Sequence, residues 1–139
     1  MIHYAKYFFT TALAPFFVLG LLGGGWWMWS GFVVLTVLML VGDAVLGDDT
    51  EEPEFRHPWL LEIPLQLALP VLCVLLLVLG WSAGSGTDDF LMIGALANRV
   101  LGHDVFVARE GNTWLSYLGG ILGCGLLVAG YGTNVAHEL

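Results

Sequence analysis

The stretch "LLGGGWWMWSGFVVLTVLMLVGD", residues 21–43, decides the fold. Gly23, Gly24 and Gly25 separate two apolar runs and leave almost no linker between them, which predicts a tight hairpin. In hydrocarbon a segment must satisfy its own backbone polar groups, so an apolar run of about 20 residues crosses a bilayer core of roughly 30 Å as a helix. The runs on either side of the glycines, residues 7–23 and 26–46, meet that requirement, as do residues 63–81 and 114–136 further on. The expected architecture is all-α: a polytopic transmembrane helix bundle with four spans, forming one domain over residues 1–139.

Composition agrees. Hydrophobic residues make up 58% of the 139 and Lys plus Arg number only 4, outside the range of soluble domains. The formal charge of −8 is a local feature, because Asp43, Asp48, Asp49, Glu51, Glu52 and Glu54 lie in one short stretch. With so few cations, nucleic-acid binding is excluded. Before the first apolar run stands a single Lys6, and Ala12-Leu13-Ala14 sits too far inside that run to be a cleavage site, so this segment reads as a retained helix. Cys73 and Cys124 both fall in apolar runs and read as inert buried thiols, not as a disulfide framework.

Chain parity tests the four-span count. Alternating directions bring Trp26, Trp27, Trp29, Trp81 and Trp114, five of the six tryptophans, to one interface, as an aromatic belt requires. The positive-inside count is a tie, with Lys6 and Arg56 on one side and Arg99 and Arg109 on the other. Residues 88–110, "DDFLMIGALANRVLGHDVFVARE", are too charged at the ends for a fifth span. Asp88 is placed to cap an interfacial helix with Phe90, Ile93, Ala97, Val100 and Leu101 on one stripe.

Ionisable groups inside spans are candidates for function. Asp43 falls some 25 Å along the second span at about 1.5 Å per residue, close to the boundary where His137 leaves the parallel fourth span. A lone histidine there is more often a polar helix end than a metal ligand. Glu138 shifts the balance, because His-Glu with a second His one turn later is a recurrent metal-binding spacing.

Together "GDAVLGDDTEEP", residues 42–53, and "TNVAHEL", residues 133–139, resemble the amino-terminal third of bacterial membrane alkane hydroxylases (alkane 1-monooxygenases), members of the histidine-rich desaturase and hydroxylase superfamily. Asp43, Gly47, Asp49 and Pro53 match the pattern after the family's second span. Asn134, His137, Glu138 and Leu139 match the opening of its first histidine box. The resemblance implies a six-helix bundle holding a di-iron centre on histidine nitrogens at its cytoplasmic end, where dioxygen is activated and the terminal methyl of a medium- or long-chain alkane is hydroxylated with electrons from a rubredoxin. It further implies a multi-pass protein of the bacterial inner membrane, with the amino terminus and His137 on the cytoplasmic side. By the same carry-over His137 is an iron ligand, while Asp43, Asn134 and Glu138 are near-site groups that orient liganding histidines. If the second span lines a substrate tunnel on its Asp43 face, Leu35, Thr36 and Met39 stack along it.

Residues 88–110 are longer than the family's corresponding connection, and the later histidine boxes are absent. His3, His57 and His103 read as loop residues on two faces, so the 139 residues alone are expected to be inactive. The implied partners are rubredoxin, an alkane and the lipid bilayer, with a homo-oligomer left open. Two readings compete: an intramembrane zinc metalloprotease, which also uses His-Glu-x-x-His on a membrane helix, and a non-catalytic membrane subunit.

Overall fold

The computed structural model describes residues 2–46, 59–86 and 88–138, and it is all-α. Among these residues six helices follow in order: α1 (Ile2–Gly23), α2 (Ser30–Leu46), α3 (Trp59–Ser82), α4 (Ile93–Leu101), α5 (Val105–Glu110) and α6 (Trp114–Glu138). Short 3-10 turns at Gly25–Trp29 and Phe90–Met92 precede α2 and α4. Among the described residues three stretches are long and apolar enough to cross a membrane: Gly25–Gly42, Glu62–Ser82 and Trp114–Tyr131. In α1 the corresponding apolar stretch among the described residues is the shorter Thr11–Gly23.

The expected hairpin is present, with its second helix starting later than its apolar pattern. Gly24 turns the chain with φ 64°, the Trp27 amide donates to the Gly24 carbonyl at 3.0 Å, and the tryptophan run forms the 3-10 turn before α2 opens at Ser30. Gly24 also lies against α5, where a Cβ would collide with the Ala108 carbonyl. Only glycine meets both demands, a left-handed backbone and contact with a neighbouring main chain.

Packing pairs α1 with α3 and α2 with α6, and α6 also touches α1 and α3. The shared interior holds Ala14, Phe17 and Leu21 of α1, Leu75 and Val78 of α3, and Cys124, Leu127 and Tyr131 of α6. Glycines let α6 approach closely: a Cβ on Gly123 would sit 3.0 Å from the Phe32 amide nitrogen, and one on Gly119 would enter the Trp29 ring. Outside this core the bundle remains apolar, with Val33, Val37 and Leu40, Leu69, Val74 and Leu76, and Ile121 all exposed. A surface this oily on long helices is what lipid selects and water penalises.

Three sequence expectations change in detail. Cys73 is exposed, so only Cys124 is buried, and both are free thiols. His3 lies in the first turn of α1, not in a loop. The 88–110 segment forms two helices; Met92 holds the cap position of the first, and it is the Asp89 carboxylate, not that of Asp88, that accepts from the amides of its first turn. Ile93, Ala97 and Leu101 turn toward the bundle while Phe90 and Val100 remain 64% and 73% exposed, so the expected single stripe is split between two surroundings.

Candidate functional site

Two ends of the bundle carry candidate chemistry. At one end, Gly119 meets Trp29 and Gly123 meets Gly31 and Phe32, contacts that advance together along both segments, so α2 and α6 leave a common level in the same direction. From that level Asp43 lies about 18 Å along α2 and His137 about 21 Å along α6, at roughly 1.5 Å per residue. Asn134 and Glu138 share the final turns of α6. Tyr131 donates to the Thr11 hydroxyl at 2.7 Å, which fixes the level of α1 against α6 and carries the first turn of α1, with His3, toward that same end. The side chains of Asp43, Asn134, His137 and Glu138 lie outside the described residues, as do Gly47, Asp49, Pro53, His57 and Leu139. Among the described residues no group of three or more His, Cys, Asp and Glu side chains comes together.

The expected tunnel residues of α2 are placed unequally. Leu35 packs against the core, the Thr36 hydroxyl is buried without a hydrogen-bond partner, and Met39 is 60% exposed.

The opposite end is closed by a cap built from α4, α5 and the loop after α3. Its centre is Arg109, only 4% exposed. Nη1 donates to the Asp88 carbonyl at 2.8 Å and the Trp81 carbonyl at 3.3 Å, and Nη2 donates to the Gly86 carbonyl. The guanidinium carbon lies 4.5 Å from the centre of the Trp81 ring and 5.3 Å from that of Phe106. One cation thus ties the end of α3 to α5 through carbonyl dipoles and two aromatic faces.

Asp89 supports the same ring from its edge. Its Oδ1 accepts from the Trp81 indole at 2.9 Å and the Gly94 amide at 2.7 Å, while Oδ2 accepts from the Ala95 amide at 3.0 Å. Partial burial pushes the carboxyl's pKa up, but the Ala95 and Gly94 amides, the indole and the nearby Arg109 charge together outweigh it and hold it below the usual value. Asp104 caps α5 by accepting from the Phe106 amide at 3.0 Å, and Asn98 accepts from the Val105 amide at 2.8 Å. Asn112 accepts from the Gly25 amide at 2.7 Å, which ties the hairpin turn to the start of α6, and Tyr117 donates to the Ser82 carbonyl at 3.0 Å.

The five expected belt tryptophans do gather at this end. Trp26, Trp27 and Trp114 are exposed around it, Trp29 donates to the Leu115 carbonyl at 3.0 Å, and Trp81 is buried under the cap. Between α3 and the cap is a cleft of about 240 Å³ lined by Leu76, Leu77, Gly80, Trp81, Phe90 and Arg109, among others. Arg109 and Asp89 were legible in the sequence only as charges at the ends of an apolar segment. Their partners are mainly backbone groups brought near by the fold, which residue spacing does not encode.

An all-α assembly with three helices able to cross a membrane, capped at one end, is the class that these observations define. Compared with protein-family models, with curated proteins and with solved structures, the chain matches none.

Proposed function

We propose that this chain is the amino-terminal part of a membrane alkane hydroxylase, a di-iron oxidoreductase that hydroxylates the terminal methyl of an alkane with electrons from a rubredoxin in the bacterial inner membrane. In this reading α1 is the fourth span, and the amino terminus lies with His137 on the cytoplasmic side. The observation that carries it is the parallel contact of α2 and α6 at Gly31 and Gly123, which brings the helix ends bearing Asp43 and the Asn134, His137, Glu138 set to one end of the bundle. Their described parts, residues 42–46 and 133–138, belong to the two segments on which the resemblance rests.

Imidazole suits iron, so His137 fits as one ligand. Among the described residues no three His, Cys, Asp or Glu side chains come together, so a di-iron centre would draw its ligands from His137 and from residues outside them. What this chain contributes is a first ligand, the nearby Asp43 and Asn134 that orient it, and the Leu35, Thr36, Met39 stripe beside the path of an alkyl chain.

The test is metal analysis of the complete protein as its host makes it, beside rubredoxin-coupled turnover of alkanes. Iron at di-iron stoichiometry, lost in His137→Ala together with alkane turnover, supports the reading. Zinc in place of iron, with peptide cleavage, moves the assignment to an intramembrane protease. A metal-free protein without turnover makes it a non-catalytic subunit.

A further inference from the structure

We propose that the Phe90–Met92 turn, with Leu96 and Val100 of α4, is an interfacial membrane anchor that seats the cap in the boundary layer between lipid headgroups and acyl chains. Leu91 and Met92 both have φ 57°, a left-handed backbone that side-chain-bearing residues rarely adopt. Their side chains are 63% and 70% exposed, so packing within the chain offsets little of that strain. The turn is held in this shape by Asp89, whose carboxylate binds the amides of Gly94 and Ala95 just beyond it. A strained backbone that displays apolar side chains outward is a feature to be explained by what lies outside.

Lipid is the occupant that the surroundings specify. Leu96 and Val100, four residues apart on α4, are 65% and 73% exposed, whereas Gly94 and Ala97 on the inner side are buried. The α4 helix thus has one apolar surface on the bundle and a second left open. At the start of the turn, exposed Phe90 shares a cleft with exposed Leu76 and Leu77 on the outer face of α3. Exposed Trp26, Trp27 and Trp114 stand at the same end, where amphipathic rings favour the interfacial layer. The exposed ionisable residues Arg99, His103, Asp104 and Glu110 belong to the same cap, so it has a polar side to present to water.

The anchor rests on the membrane-bundle reading and not on the chemistry assigned to the opposite end. It is tested on the full chain in phospholipid vesicles, in a Cys73→Ser, Cys124→Ala background with nitroxide labels at Leu91→Cys, Leu96→Cys, Glu110→Cys and Ile121→Cys. The ratio of collision with dioxygen to collision with a water-soluble nickel chelate is expected to be severalfold higher at 91 and 96 than at 110, and to approach that at 121. Labels at 91 and 96 that behave like the one at 110, while 121 remains in lipid, overturn the anchor and leave the bundle standing. A water-accessible label at 121 overturns the bundle reading and the anchor with it. Shielding of 91 from both reagents that grows with protein density assigns the face to a second copy and overturns the lipid assignment. Independently of any substitution, lipids with a photoactivatable group near the acyl carbonyl should attach to residues 90–100 of the unaltered chain; adducts confined to the spans count against the anchor.

Discussion

Arg109 and Trp81 form a stacked pair, with the guanidinium carbon 4.5 Å from the ring centre, and the same guanidinium donates to the Trp81 carbonyl. The cation therefore holds its partner by both ring and backbone, at the place where α3 ends and the cap begins. Removing it takes this donor from the carbonyls of Trp81, Gly86 and Asp88, but the Trp81 carbonyl keeps the Gly84 amide and Gly86 and Asp88 are exposed to water, so the loss is mainly that of charge-assisted hydrogen bonds worth about 1.5–3 kcal/mol. Arg109→Met should destabilise the cap by about 2 kcal/mol. Arg109→Lys should recover only part of that loss, because an ammonium has no planar fork. Amide exchange over residues 84–110 measures both, with the protection of α3 and α6 as the internal reference.

Asp89 gives the cap an acid limit. Its folded pKa lies below the usual 3.8, so below that value the unfolded state binds more protons. Its contribution is fully present above 3.8 and is lost as pH falls through the lower folded pKa. Thermal unfolding from neutral pH down to strongly acid pH should show the cap weakening in that range. Asp89→Asn should be weaker at neutral pH and have a shallower acid slope. An unchanged slope would assign the acid sensitivity to another carboxylate.

Gly24 and Gly25 separate two costs that usually occur together. Both have positive φ, 64° and 52°, but only at Gly24 would a Cβ meet the Ala108 carbonyl, while Gly25 has nothing within 4 Å. Gly25→Ala should cost about 1 kcal/mol from backbone conformation alone. Gly24→Ala should cost more and should also loosen α5 from the hairpin, seen as faster amide exchange at Val105–Glu110. Equal effects of the two substitutions would refute the contact.

The hairpin, the tryptophan end and the long helices were legible because apolar run length, glycine breaks and chain parity are local or additive properties of sequence. The cap was legible only as an amphipathic segment. Asp88 and Asp89 are equally good caps by residue type, and the choice between them depends on where the Trp81 indole arrives. Arg109 looked like a surface charge because its compensating groups are mainly main-chain carbonyls, which every residue carries. Two left-handed non-glycine residues at Leu91 and Met92 leave no trace in residue type at all.

Thr36 has a hydroxyl buried without a partner, on the face of α2 where the proposed tunnel runs. Burying an uncompensated hydroxyl costs about 1–3 kcal/mol by mutational measures, and valine has nearly the same shape. Thr36→Val should therefore raise the unfolding temperature in detergent or lipid, by an amount equivalent to about 1 kcal/mol. A lower unfolding temperature would mean that the hydroxyl has a partner in the complete protein. Altered alkane selectivity at unchanged stability would place it on the substrate path.

Gly123 tests whether the contact of α2 with α6 matters to the far end. A Cβ there sits 3.0 Å from the Phe32 nitrogen, a main-chain atom that cannot rotate away, so Gly123→Ala must push the two helices apart by a few tenths of an ångström. Gly125, two residues on, has nothing within 4 Å of its Cβ position, and Gly125→Ala makes the same gain in helix propensity without the collision. If Asp43 and His137 serve one metal centre, the displacement at Gly123 reaches both helix ends, because helices transmit it as rigid rods. In the complete protein Gly123→Ala should lower iron content and alkane turnover together, with Gly125→Ala close to the unaltered protein in both. Equal iron content in the two variants, with α6 equally protected from exchange, would separate the metal site from the α2–α6 contact and remove the observation on which the proposed function rests.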